Sequence, residues 1–166
     1  MNIVSNTSPL VFLTKIGKLN FLNEYDLFIP QQVYDEIILW KNKGKDDYLI
    51  LENWIKKTNV SVEKVSILKN LPQSLGEGEK AAISLAIEKN VKIILIDERK
   101  ARITANLLGL QPRGTIAIIQ ENLLENKITR KECKILILEL IKKGYRIKEE
   151  LIAEFLQEFE GKSEET

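Results

Sequence analysis

Residues 74–110, SLGEGEKAAISLAIEKNVKIILIDERKARITANLLGL, decide the fold class. The spacing predicts a helix from Glu79 to Lys89, then an all-apolar strand from Ile93 to Ile96, then a second helix from Arg99 to Leu108 that Gly109 ends. Helix, buried strand and helix in succession is the unit from which parallel sheets are built.

The same alternation runs outward in both directions. Met1 to Ser5 reads as a short buried strand, and Asn6, Thr7 and Ser8 as the turn into a helix with Pro9 in its first turn and Leu10, Leu13 and Ile16 at helical spacing. Leu19 to Leu22 starts a short helix, Leu27 to Ile29 a strand before Pro30, and Gln31 to about Trp40 a helix. KNKGKDD is a polar loop. YLILENWIKK is a helix expected to turn Ile50, Trp54 and Ile55 inward, and NVSVEKV alternates as a strand does. LQPRGT reads as a turn. Helices then fill Thr115 to Glu125, Thr129 to Lys143 and Lys148 to Phe159. The expected fold class is α/β with a central parallel sheet. The chain has the length of one domain, taken as 1–160 with its C-terminal helices, and 161–166, GKSEET, reads as a solvated tail.

Composition narrows the chemistry. With 166 residues, one cysteine and no histidine, the chain has no internal disulfide, no cysteine-built zinc site and no imidazole for a Ser-His-Asp or Cys-His apparatus. Carboxylates, hydroxyls, lysines and arginines are left to carry any reaction. A net charge of +1 means that a polyanion would be held by a local basic patch rather than by a global field. No apolar run approaches the roughly 18 residues of a membrane helix, and the N-terminus lacks the pattern of a leader, so a cytoplasmic location is expected.

In an open parallel sheet, functional groups gather beyond the carboxyl ends of the strands. That rule selects Asn6 after the first strand, Asp35 and Glu36 after the second, Glu77 and Glu79 at the start of a helix, and Asp97 with Glu98 after KIILI. Carboxylates brought together repel, and a hard divalent cation with oxygen ligands resolves the repulsion. Each residue also has an ordinary reading. Asp97 fits an N-cap of the following helix, Glu77 and Glu79 favour a helix dipole, Glu36 fits a solvated helix face, and Asn6, Thr7 and Ser8 fit a capped turn. Their coincidence at strand ends favours the site.

IVSNTSPLVFLTKIGKLNFL, IPQQVYDEI, LGEGEKAAISLA, IILIDERKAR and LGLQPRGTIAIIQ, in that order, resemble the PIN domain, and within it the prokaryotic subgroup of predicted nucleic-acid-binding proteins related to VapC-type toxins. The resemblance runs from about Ile3 to Lys127 and is specific as an ordered set. It implies a three-layer α/β/α domain, an acidic site for Mg²⁺ or Mn²⁺, and RNA cleavage by a metal-activated water. By position, Asn6, Glu36, Glu79 and Asp97 stand at the four metal-binding places, with Glu36, Glu79 and Asp97 as the catalytic acids. Ser8 matches the small hydroxyl residue after the first acid, and Glu98 is auxiliary. Asn6 departs from the aspartate of the nuclease pattern: an amide oxygen ligates a hard cation but brings no charge. Ala81 replaces a further glutamate found in related chains.

Arg99, Lys100, Arg102 and Arg113 follow the acidic corner and are the expected RNA contacts, with Lys15 and Lys18 as alternatives and a solvated helix face as the ordinary reading. Trp40 and Trp54 read as core anchors. The amphipathic stretch CKILILELIKKGYRIKEELIAEFLQEF suits packing on the domain, a homodimer face or an antitoxin segment. Two functions follow: a PIN-type endoribonuclease, possibly the toxin of a toxin-antitoxin pair, or a catalytically weakened module that binds RNA or a protein.

Overall fold

The computed structural model describes residues 1–160, so the expected tail at 161–166 lies outside the described residues. The order of elements is β1 (Asn2–Ser5), α1 (Thr7–Lys15), a 3₁₀ turn at Leu19–Leu22, β2 (Asp26–Pro30), α2 (Gln31–Asn42), α3 (Asp46–Lys57) and β3 (Ser61–Glu63). α4 (Glu77–Glu88), β4 (Ile93–Leu95), α5 (Arg99–Leu107), β5 (Gln111–Arg113), α6 (Thr115–Leu124), α7 (Arg130–Lys142) and α8 (Glu149–Glu160) follow. The chain divides into two compact units, Met1–Ile118 and Ile119–Thr166, with the division inside α6.

The first unit holds a five-stranded sheet in the order β3-β2-β1-β4-β5. Every pairing is parallel, with Val4 beside both Phe28 and Ile94. Parallel strands covered by helices on their faces cannot alternate apolar with polar, and this is why IVS and IIL are buried without interruption. Val4, Ile94 and Ile96 meet Ala82, Leu85 and Ala86 of α4 and Ala101 and Ala105 of α5 in one apolar core. The alanines let the two helices approach the sheet closely. Between β3 and α4 the chain runs without regular structure over 64–76, and it is tied back to α4 where the Leu68 N–H donates to Ser84 Oγ at 2.9 Å.

One strand differs from the expectation of a turn. Gln111–Arg113 pairs with β4 as the sheet's edge, so Arg113 sits in β5. Pro112 hid it, since proline is excluded from central strands but tolerated at an edge. The Gln111 N–H donates to Lys92 and the Arg113 carbonyl accepts from Ile96, which leaves the missing N–H of Pro112 on the open side. In α3 the inward face is Leu51, Glu52 and Ile55, while Ile50 is exposed. The helix begins at Asp46, and Ile50 falls on its outer side. Trp40 and Trp54 are half-buried rather than enclosed.

Glu52 is the buried carboxylate of α3, 4% exposed, and it accepts from Lys41 of α2 at 2.7 Å and from Lys56 at 2.8 Å. The bond from Lys41, then that from Lys56, holds its carboxyl below the ordinary range against the opposing effect of burial. In the second unit, α7 opens with a reciprocal cap: the Glu132 N–H donates to Thr129 Oγ1 at 3.1 Å and the Thr129 N–H to the Glu132 carboxylate at 3.2 Å. Cys133, Leu136, Ile137 and Leu140 form its buried stripe. Among the described residues no helix is long and apolar enough to cross a membrane.

Candidate active site

β1 lies at the point where the chain order reverses, with β2 on one side and β4 on the other. Such a switch point opens a crevice at the carboxyl ends of the strands. Asn6 directly follows β1, where its N–H donates to the Leu95 carbonyl at 3.0 Å, and Asp97 stands two residues past β4. The sheet thus brings these sequence-distant positions to one edge.

Asn6 occupies the N-cap of α1, yet its side chain makes no cap bond. Its Oδ1 is instead directed at Gly78. A Cβ placed on Gly78 would stand 3.1 Å from Asn6 Oδ1 and 3.3 Å from Glu36 Oε2, so both oxygens converge on the glycine at the second position of α4. Thr7 fixes the second of them, donating from Oγ1 to Glu36 Oε2 at 2.7 Å. Glu79 is the third residue of α4, in its first turn, where the Gly76 N–H bonds its carboxylate as in half of a capping box. Its Oε2 is buried and meets no hydrogen-bond donor. Burial raises the Glu79 carboxyl above its ordinary pKa, the charges of Glu98 and Glu36 raise it further, and the Gly76 N–H opposes them.

Asp97 is held differently. Its Oδ1 accepts from the Thr115 N–H at 2.8 Å, and its Oδ2 from Thr115 Oγ1 at 2.8 Å and from Ser8 Oγ at 3.3 Å. Asp97 therefore caps the start of α6 rather than α5, whose N-cap is Glu98 without a side-chain bond. Among the described residues no group of three or more cysteine, aspartate or glutamate side chains is placed to hold a metal ion as the side chains stand. Asn6, Glu36 and Glu79 border one cleft, and Asp97 faces it through Ser8. Asp35, also on this border, is engaged by Gln31 Nε2 at 2.8 Å, and Glu77 lies 3.6 Å from Lys80 Nζ.

The cleft measures about 620 Å³. Ser8, Val11, Phe12 and Lys15 line it from α1, and Gln32, Asp35, Glu36 and Leu39 from α2. Both sets are spaced i, i+3, i+4, i+7, which makes each helix present one continuous stripe. Tyr48 from α3 contributes a phenol whose pKa is raised by burial, then by the charges of Glu36 and Asp47. Arg99 and Lys100 are exposed at the start of α5, Arg102 and Arg113 are half-buried, and none of the four borders the cleft.

A family model described as DUF3368: PIN domain matches residues 2–161. The chain belongs to the PIN-domain family. This PIN domain has the nuclease-type fold of the family, whose members generally depend on a divalent metal. Among solved structures, a PilT N-terminus domain protein, SSO1118, of the hyperthermophilic archaeon Sulfolobus solfataricus P2 is 20% identical and aligns with a TM-score of 0.54 over 74% of this chain and 94% of its own. A domain of a functionally unknown protein from Methanocaldococcus jannaschii DSM 2661 is 20% identical with a TM-score of 0.48, covering 68% of this chain and 89% of that one. Among curated proteins there is no match. The first likeness agrees with the α/β fold of the PIN domain, a five-stranded parallel sheet flanked by helices.

The donor set of this PIN domain fits a hard cation: one amide oxygen and carboxylates, one of them with a buried oxygen that lacks a partner. Thr7 and Thr115 bond to candidate acids and Gly78 faces two oxygens, contacts that sequence reasoning did not assign. Threonine after Asn6 and glycine between Glu77 and Glu79 were visible as residues. That Thr7 reaches Glu36 and Gly78 receives two oxygens depends on how α1, α2 and α4 pack.

Proposed function

We propose that this PIN domain is a metal-dependent endoribonuclease in which Asn6, Glu36 and Glu79, with Asp97, hold Mg²⁺ or Mn²⁺. The observation that carries the reading is the convergence of Asn6 Oδ1 and Glu36 Oε2 on Gly78, beside the unpartnered Oε2 of Glu79. A cation bound there supplies Lewis-acid stabilisation of the phosphoryl charge and acidifies water. The protein's part is positional. Thr7 sets Glu36, the Gly76 N–H sets Glu79, and Thr115 with Ser8 sets Asp97, so each acid is held at the edge of the cleft and a cation would draw them together. Hydrolysis joins a water oxygen to phosphorus and breaks one P–O bond to ribose, and the departing oxygen takes up a proton. Glu98 raises the Glu79 pKa through its charge and is the auxiliary acid. Arg99, Lys100, Arg102 and Arg113 are phosphate contacts outside the cleft.

The test is cleavage of single-stranded RNA with Mn²⁺. Activity abolished by EDTA and by Glu36→Gln or Asp97→Asn is expected; intact RNA at every Mn²⁺ concentration overturns the reading. The neutral amide of Asn6 favours a second reading, a weakened module that binds RNA or a protein without cutting. Asn6→Asp separates the two, since added charge raises metal affinity and turnover only where the remaining ligands are already assembled. A cytoplasmic toxin role with an antitoxin partner, and a homodimer, complete the proposal, and co-purification with the product of a neighbouring small reading frame tests the first.

A further inference from the structure

We infer that the cleft between α1 and α2 is a nucleobase-binding subsite for single-stranded RNA, with Phe12 and Tyr48 as stacking surfaces and Lys15 as the phosphate contact. This rests on the ribonuclease reading and deepens it, since it says on which side of the acidic corner the strand lies.

The cleft begins at the acidic corner and continues along the two helical stripes, so it offers a chain held at the acids a shaped path. Its volume, about 620 Å³, falls within the range of about 300–1,000 Å³ that small-molecule sites occupy. Its lining changes character along the path. Oxygen donors crowd the corner, whereas Phe12 and Tyr48 farther along offer aromatic surface, and Lys15 is the one cation among the lining residues. Lys15 Nζ lies 5.5 Å from the centre of the Phe12 ring, which sets a positive charge beside a flat face. A nucleotide presents the complementary pair, a planar base and an anionic phosphate. The Tyr48 phenol lines the same cleft and offers a hydrogen-bond donor there.

Gln32 adds an edge-reading group. It stands one turn before Glu36 on the same stripe, and its Oε1 is shielded from solvent and meets no donor. An amide can pair in a bidentate manner with the edge of a purine. The turn between α2 and α3 carries two more cations, Lys43 and Lys45, with Lys43 Nζ 4.7 Å from the centre of the Trp40 ring. A protein segment with both an acidic and a basic side chain is the alternative occupant, and the abasic oligonucleotide distinguishes the two, since only a nucleic acid strand depends on a base at that position.

The experiment measures fluorescence anisotropy of a labelled single-stranded oligoribonucleotide with phosphorothioate linkages, with and without Mn²⁺. Phe12→Ala and Tyr48→Ala should each weaken binding roughly tenfold, with Phe12→Tyr close to wild type. An abasic position in the oligonucleotide should weaken wild type and leave Phe12→Ala little changed. Unaltered thermal unfolding of each variant separates binding from folding. Wild-type affinity in both alanine variants overturns the subsite and leaves the ribonuclease reading standing. So does loss of binding in Arg99→Ala and Arg102→Ala alone, which sends the strand along α5. A wild-type protein that binds no RNA under either condition overturns both.

Discussion

Gly78 shows how one missing methyl group shapes the site. Two oxygens approach to within 3.1 and 3.3 Å of the place its Cβ would fill, and both belong to side chains that can retreat. Gly78→Ala should therefore leave stability within about 1 kcal/mol of wild type, since alanine also favours the helix, while Mn²⁺ affinity falls roughly tenfold or more. Chemical denaturation and calorimetric Mn²⁺ titration measure the two effects. Glu79 carries a pH signature. Its folded pKa is raised, so its contribution to stability is fully present below the ordinary glutamate pKa and is lost as pH rises through the folded value. At neutral pH, above the ordinary glutamate pKa, the raised value therefore costs the metal-free protein stability. Glu79→Gln is expected to raise the melting temperature of the metal-free protein at about pH 7 and to leave it nearly unchanged at about pH 4, while Mn²⁺ binding weakens. A variant that melts lower than wild type at neutral pH would contradict this account of the charge.

At the scale of elements, polar groups fix how helices meet. Glu52 of α3 joins Lys41 of α2 and lies buried at the junction. Glu52→Ala leaves Lys41 without its carboxylate, and a loss of about 1–3 kcal/mol in urea unfolding is expected. Because the Glu52 pKa is depressed, its stabilisation is present above the ordinary glutamate pKa and disappears as pH falls through the folded value. The difference between wild type and Glu52→Ala should therefore narrow in acid. The start of α6 is tied to the end of β4 by the two bonds from Thr115 to Asp97. Thr115→Val keeps the N–H bond and removes the hydroxyl, which loosens Asp97 Oδ2. RNA cleavage should fall by about 10–100-fold, with the melting temperature lowered by a few degrees at most. Full activity in that variant would show that the backbone N–H at position 115 and Ser8 suffice to position Asp97.

Across the molecule, the order of strands decides which residues can act together. Reversal at β1 sets Asn6 beside the end of β4, and the helices after β1 and β2 frame one cleft. A cation that binds the folded chain and not the unfolded one stabilises by mass action, about 2.7 kcal/mol at a hundred times its dissociation constant. Mn²⁺ should therefore raise the melting temperature at neutral pH and lose the effect in acid, where the ligating carboxylates take up protons; a Mn²⁺ shift that persists in acid contradicts ligation by these groups. The sequence by itself determined the parallel α/β fold, because apolar runs, helical spacing and turn residues are local and repeat along the chain, while its resemblance to the PIN domain singled out Asn6, Glu36, Glu79 and Asp97. It also showed the place of every helix to within a few residues, while Pro112 concealed the edge strand. Only the tertiary structure decided that Thr7 holds Glu36, that Asp97 caps α6, that Gly78 receives two oxygens and that Phe12 and Tyr48 share a cleft. These are meetings between residues far apart in sequence, and they depend on the directions in which packed helices aim their side chains, which periodicity leaves open.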